Sequence, residues 1–182
     1  GLIVDKFSDY LVMQITTLGM HLFRSYIISV LADIFQPQGI YAKDNEKSAH
    51  KEGFAPAVGW VYGLGPEIIP FAMNGICFLA DTKGQKTGFF LDQRLNAAAV
   101  RCYAENKTVL DAFAYTGNFG IHALYGNAQH VTFIDCSQRA LDVLEETLVL
   151  NRFDRGRCEL ILADTFDYLR KLDKAQLLFD FT

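Results

Sequence analysis

Val109-Leu110-Asp111-Ala112-Phe113-Ala114-Tyr115-Thr116-Gly117-Asn118-Phe119-Gly120 lies in the second half of a chain of 182 residues. The run opens with apolar residues around a single carboxylate, as a buried strand does. Its glycines then mark a turn into a helix. A strand that breaks at a glycine turn and opens a helix is the ligand-binding entry of a doubly wound α/β sheet. The same rhythm continues on both sides of it. The pattern predicts strands at 108–113, 130–134 and 158–162, with the start of a fourth at 177–179. Helices are predicted at 92–104, 117–125, 137–150 and 165–172. Strands separated by helices pair in parallel through right-handed crossovers.

Residues 1–83 read differently. Short strands flank a turn at Ser8-Asp9. The apolar positions Leu22, Phe23, Tyr26, Ile27, Val30, Leu31 and Ile34 then predict one amphipathic helix over 20–35. Pro37 and Gly39 end it, and a strand begins at Gly39-Ile40-Tyr41. The charged stretch 43–53 reads as a loop. Further strands are predicted at 59–62, 68–73 and 76–80, with Asn74-Gly75 as a two-residue hairpin turn. The chain therefore divides into a small α+β domain at 1–83 and an α/β domain at 84–182.

With 51% hydrophobic and 21% charged residues, the chain belongs with globular proteins rather than disordered ones. No run approaches the roughly 18 apolar residues of a membrane-spanning helix. The chain opens on Gly1 with no basic-then-apolar leader, so no secretory signal is expected. A net charge of −4 with scattered basic residues makes this chain by itself a poor candidate for tight RNA binding. Cys77, Cys102, Cys136 and Cys158 form no Cys-x-x-Cys pair, which argues against zinc and for a reducing cytoplasm. They sit where small buried hydrophobes are common. His21, His50, His122 and His130 show no ligand spacing, and no metal site is expected.

Three carboxylates fall at successive predicted strand ends: Asp111, Asp135 and Asp164. A cofactor with an amino acid at one end and adenine at the other needs polar contacts at three such levels. Asp135 suits a ribose, because a carboxylate accepts both hydroxyls of a cis-diol. Asp164 suits the adenine amino group, and Asp111 an ammonium, directly or through water. The alternative for each aspartate alone is a helix cap. Gly117 and Gly120 permit close backbone approach, but Tyr115 stands where a dinucleotide fingerprint has its first glycine. A bulky ring there crowds a pyrophosphate and packs well against a thioether, which favours S-adenosylmethionine (SAM) over NAD.

Ahead of this region, Lys86-Thr87-Gly88-Phe89-Phe90-Leu91-Asp92-Gln93-Arg94 sets two small residues against two aromatics and an Asp-x-Arg pair. Tyr115-Thr116-Gly117, Asp135-Cys136-Ser137-Gln138 and Lys51-Glu52-Gly53 complete a set of motifs. In these the chain resembles the rRNA large-subunit methyltransferase I family, SAM enzymes that modify a cytosine of 23S rRNA. The resemblance implies a Rossmann-like class I methyltransferase fold after the small α+β domain. It also implies SAM as cofactor, 23S rRNA as partner and a cytoplasmic location; the oligomeric state is left open, with a homodimer as one expectation.

By the same resemblance Thr87, Phe89, Asp92 and Arg94 line the cofactor pocket. They join Asp111, Tyr115, Thr116, Gly117, Phe119, Asp135, Cys136, Ser137, Asp164 and Thr165. Asp92 and Arg94 have an alternative as a surface ion pair capping the next helix. The family's upstream PUA domain, its Asp-Pro-Pro motif and its nucleophilic cysteine are expected outside these residues. No catalytic residue is assigned within them, and this chain alone is not expected to complete turnover. The competing readings are a noncatalytic SAM-binding or interaction fragment and, less well matched, an NAD-binding domain.

Overall fold

The computed structural model describes residues 1–182, and they separate into two compact units. The first comprises Gly1–Ala72 and Phe78–Phe89, the second Met73–Cys77 and Phe90–Thr182. The segment 84–89, expected with the α/β part, therefore closes with the first unit. A hairpin tip from the small domain groups with the second.

In the first unit, β1 (Leu2–Phe7) and β2 (Tyr10–Ile15) form an antiparallel hairpin whose turn puts Ser8 at φ +50°. Parallel pairing of β2 with β3 (Gly39–Lys43) needs a crossover. The helices α1 (Leu18–Leu22) and α2 (Arg24–Phe35) supply it. The single helix expected over 20–35 is thus broken at Phe23. β3 pairs antiparallel with β4 (Val58–Gly63), giving the order β1-β2-β3-β4. Leu11, Met13 and Ile15 alternate along β2 onto one face, where Ile40, Ala42 and Phe54 meet them under Ile27, Ile28 and Leu31 of α2.

The charged stretch expected to be a loop contains α3 (Glu46–Glu52). The Asn45 side chain accepts from Ser48 N–H at its start, and Gly53 ends it at φ +78°. Only Ala49 of this helix is buried, so no apolar period announced it. β5 (Ile68–Met73) and β6 (Ile76–Asp81) pair through Asn74 and Gly75, at φ +53° and +78°. Left-handed geometry at both central residues is what a type I′ hairpin turn requires.

In the second unit a short 3₁₀ turn leads into α4 (Arg94–Val100), shorter than the helix expected over 92–104. Three parallel strands follow in the order β7 (Thr108–Ala112), β8 (His130–Asp135), β9 (Cys158–Leu162). The helices α5 (Asn118–Tyr125) and α6 (Gln138–Leu150) connect them, and α7 (Thr165–Lys174) follows the last. Residues 177–179, where a fourth strand was expected to start, form no strand, and the sheet is instead extended by one parallel bridge from Phe181 to Val109 on the free edge of β7. Leu110 N–H donates to Phe181 C=O at 3.0 Å, and the Asp180 carboxylate accepts from Thr108 N–H at 2.8 Å and its hydroxyl at 2.9 Å. The chain thus continues on the side of β7 opposite β8. Strand order reverses at β7, which is where open α/β sheets bind ligands.

One buried ion pair organises the first unit. Asp44, at the end of β3, accepts from Ile15 N–H at 2.8 Å and Ala57 N–H at 2.9 Å and pairs with Arg24 of α2. Replacing it strands a guanidinium and two backbone donors. Asp44→Ala should therefore destabilise by about 3–5 kcal/mol, seen as a lower urea midpoint at unchanged slope. A midpoint within error of wild type would remove this pair from the account of stability.

Candidate functional site

The loop that follows β7 is built from unusual backbone. Phe113, Tyr115 and Gly117 have φ of +61°, +51° and +79°, and side chains rarely occupy that region. Hydrogen bonds hold it there. Ala114 N–H donates to Ile134 C=O at 2.9 Å, Gly117 N–H to Ala114 C=O at 2.8 Å, and Tyr115 N–H to the Asp135 carboxylate at 2.8 Å. The second Asp135 oxygen accepts from Ser137 N–H at 2.9 Å. One carboxylate at the end of β8 thereby fixes both the loop and the approach to α6. Ser137 caps that helix by accepting from Ala140 N–H at 3.2 Å.

Asp111 acts from the other side. It is buried in β7 and accepts from Gly120 N–H, in the first turn of α5, at 2.8 Å. Burial raises its pKa to about 7 against the opposing Gly120 hydrogen bond, and the charge of Asp135 adds to the rise. Asp111, Val109, Leu110, Phe119, Gly120 and Phe181 line a mostly apolar cavity of about 290 Å³.

The glycines serve packing. A Cβ on Gly117 would lie 2.3 Å from Leu144 of α6, and one on Gly120 would lie 2.2 Å from the Phe133 ring. α5 therefore needs both to approach α6 and β8 this closely.

The expected site residues sort as follows. Asp111, Tyr115, Gly117, Asp135, Cys136 and Ser137 gather at the carboxyl ends of β7 and β8 with buried Thr116 and half-buried Phe119. Asp164 is the N-cap of α7 and accepts from Asp167 N–H at 2.9 Å, the capping alternative, and Thr165 behind it is buried. Asp92 and Arg94 are exposed at the start of α4, where Gln93 donates to Asp92 at 3.3 Å. Thr87 and Phe89 lie in the first unit. The Thr87 hydroxyl bonds the Asp5 carboxylate, and the Phe89 ring is enclosed by Phe71 and Phe78 with 1% exposed. Phe89 was expected to line a pocket, but its ring is spent on core packing. The cysteines also depart from expectation: Cys77, Cys102 and Cys136 are exposed.

Three features escaped the sequence reading. The Phe113 and Phe166 rings meet edge-on at 5.1 Å beyond the strand ends, both largely exposed. Tyr115 meets Phe90 edge-on at 5.2 Å. Asn118, at the first turn of α5, is buried with neither side-chain amide atom hydrogen-bonded. A helix that starts with an unsatisfied carboxamide leaves a polar group for a ligand to meet.

The family model for S-adenosylmethionine-dependent methyltransferases matches residues 45–180. This chain belongs to that family. The methyltransferase-family chain is 39% identical over 173 residues to the ribosomal RNA large subunit methyltransferase I of Klebsiella pneumoniae, covering 94% of its own length. It covers 43% of that relative, and so spans less than half of the curated relatives it matches. A protein assigned as a SAM-dependent methyltransferase from Streptococcus mutans has the same fold, at a TM-score of 0.86 and 26% identity. The match covers 99% of this chain and 46% of that one. A second structure with the same scores is of a methyltransferase complexed with SAH.

The buried titrating groups set the pH response of this methyltransferase fold. Asp111 is protonated in the fold up to about pH 7 but ionises near pH 3.8 when unfolded, so its contribution to stability falls between those values and is level above. Buried His122 has the opposite sign. Burial lowers its pKa below 6.5, so stability is full above that value and falls on acidification. Asp111→Asn removes only the first effect. Its urea midpoint relative to wild type should rise from pH 4 to 7 and then level, and a pH-independent difference would contradict the burial of a titrating carboxyl.

Proposed function

We propose that this chain binds SAM across the carboxyl ends of β7, β8 and β9. We propose also that it is the cofactor-binding portion of an enzyme that methylates C5 of a cytosine in 23S rRNA. The observation that carries the cofactor half is the clasp of Asp135 on Tyr115 and Ser137. Each carboxylate oxygen takes one backbone N–H there, and an ionised carboxylate has about four acceptor sites, so ribose hydroxyls fit on the remaining lone pairs. The unpartnered Asn118 carboxamide and Asp111, whose pKa burial raises to about 7, suit the amino-acid end of the ligand. The exposed Phe113–Phe166 pair offers apolar surface for an adenine.

When bound, SAM supplies a methyl group activated by its sulfonium. In this proposal Asp135 holds the ribose, and Asp111 and Asn118 orient the ammonium and carboxylate. Asp164, whose first job is capping α7, contributes its other oxygen at the adenine edge. Asp92 and Arg94 are proposed to complete the pocket on the resemblance alone.

The substrate half rests on the relatives' names and on the motif resemblance. Cytosine C5 becomes nucleophilic when a thiolate adds to C6. None of the four cysteines here is assigned that step, and Cys136 beside Asp135 is placed with the cofactor. A cytoplasmic location accompanies an rRNA substrate, and no helix is long and apolar enough to cross a membrane.

Calorimetric titration with S-adenosylhomocysteine tests the cofactor half. Asp135→Ala should weaken binding by roughly 1.5–3 kcal/mol, the worth of a charge-assisted contact, while Asp135→Asn loses less. Equal affinity in wild type and Asp135→Ala would remove the ribose assignment, and tighter binding of NADH would overturn SAM. For the substrate half, deleting the gene that encodes this chain should remove one 5-methylcytidine from digested 23S rRNA. Retention of all 5-methylcytidine would overturn it.

A further inference from the structure

The first unit contains a second concavity, which shares no lining residue with the candidate cofactor site. It encloses about 400 Å³ and is lined by Gln14 of β2, by Lys43, Asp44 and Asn45 at the end of β3, and by Gly84, Gln85 and Lys86 in the turn after β6. Three separate segments thus contribute two lysines and three carboxamide-bearing residues to its lining. We infer that this concavity is a binding site for a phosphate group.

Its chemistry favours an oxyanion. The one carboxylate in the lining, Asp44, is already compensated: its two oxygens accept from the Ile15 and Ala57 N–H groups and pair with Arg24. The Lys43 ammonium is steered by donation to Asp81 C=O at 3.2 Å, on the same turn that carries Lys86. That turn is fixed by Gly84 N–H to Asp81 C=O at 2.9 Å and Gly88 N–H to Gln85 C=O at 2.8 Å. It holds Lys86 at φ +45°, a region that side chains seldom occupy and that tends to mark functional turns. The Thr87 hydroxyl pins the turn to Asp5 of β1. Lysine meets phosphate as a point charge, and carboxamide N–H groups add direction.

The phosphate can arrive as an RNA phosphodiester or as a free or terminal phosphate. The first source rests on the RNA reading above, while the site itself does not. The test is a titration of the isotope-labelled full chain, followed residue by residue by NMR. Inorganic phosphate, cytidine 5′-monophosphate, a short oligoribonucleotide and cytidine without phosphate are compared.

Phosphate should shift the backbone signals of residues 43–45 and 84–86. The double variant Lys43→Gln/Lys86→Gln should bind it at least five-fold more weakly. Lys47→Gln/Lys171→Gln, equal in charge, should match wild type. If the source is RNA, the oligoribonucleotide moves the same signals, and its log Kobs against log salt loses about 0.7 of slope in the double variant for each phosphate contact removed. If only inorganic phosphate and the monophosphate act, the site stands with a free or terminal phosphate as its ligand. Failure of the oligoribonucleotide arm alone therefore bears on the RNA reading and not on the site. No shift with any phosphate species, equal shifts with cytidine, or unchanged affinity in a well-dispersed double variant would overturn the inference.

Discussion

Two backbone N–H groups converge on the carboxylate of Asp135, and the candidate cofactor site depends on that convergence. The loop after β7 holds Phe113 and Tyr115 in left-handed backbone, which costs of order 1–3 kcal/mol each when nothing compensates. Asp135 accepts from Tyr115 on one side and from Ser137 on the other, so one charged acceptor offsets the strain and sets the start of α6. Asp111 performs the matching task for α5 through Gly120. The loop is therefore shaped before any ligand arrives, by carboxylates that still have lone pairs to offer. Preorganisation of this kind reduces the ordering cost that binding must meet.

The three strand-end aspartates illustrate how one residue type is divided among tasks by its surroundings. Asp135 is half-buried and holds two amides. Asp111 is enclosed by apolar neighbours and carries a proton near neutrality, which lets it donate as well as accept. Asp164 is exposed and spends one oxygen on the first turn of α7. Asp111 lies opposite Phe133 and Asp135 opposite Leu162, so each successive aspartate sits further along its strand, and the three differ in charge, reach and availability. The candidate phosphate pocket in the first unit shows the converse: Asp44 lines it but is neutralised by Arg24 and two amides.

Much of the architecture was legible in local pattern. The β7–α5 unit, the parallel β8 and β9, and the Asn74-Gly75 hairpin all follow from apolar runs and from turn residues whose φ requirements are strong. Legibility failed where burial is decided by partners distant in sequence. α3 carries a single buried alanine, so its amphipathic signal is absent and its ends are set by Asn45 and Gly53. The break at Phe23 divides a helix whose apolar spacing runs without interruption. Phe89 is assigned to the cofactor pocket by the motif resemblance, which carries no information on what encloses its ring. Phe71 and Phe78, from a hairpin that folds back beside it, enclose its ring.

The sequence by itself determined the class of fold, the family motifs and the positions of the carboxylates along the strands, because those depend on spacing and on side-chain chemistry. Only the tertiary structure decided what each of them does. The duties of Gly117 and Gly120 come from the approach of Leu144 and Phe133, atoms that no local pattern names. The proton on Asp111 comes from the apolar packing around it, and the unpartnered Asn118 from the burial of the first turn of α5. Spacing along a chain fixes which residues can face one way. Desolvation and hydrogen-bond partners, which set charge and availability, exist only once segments far apart in sequence have packed.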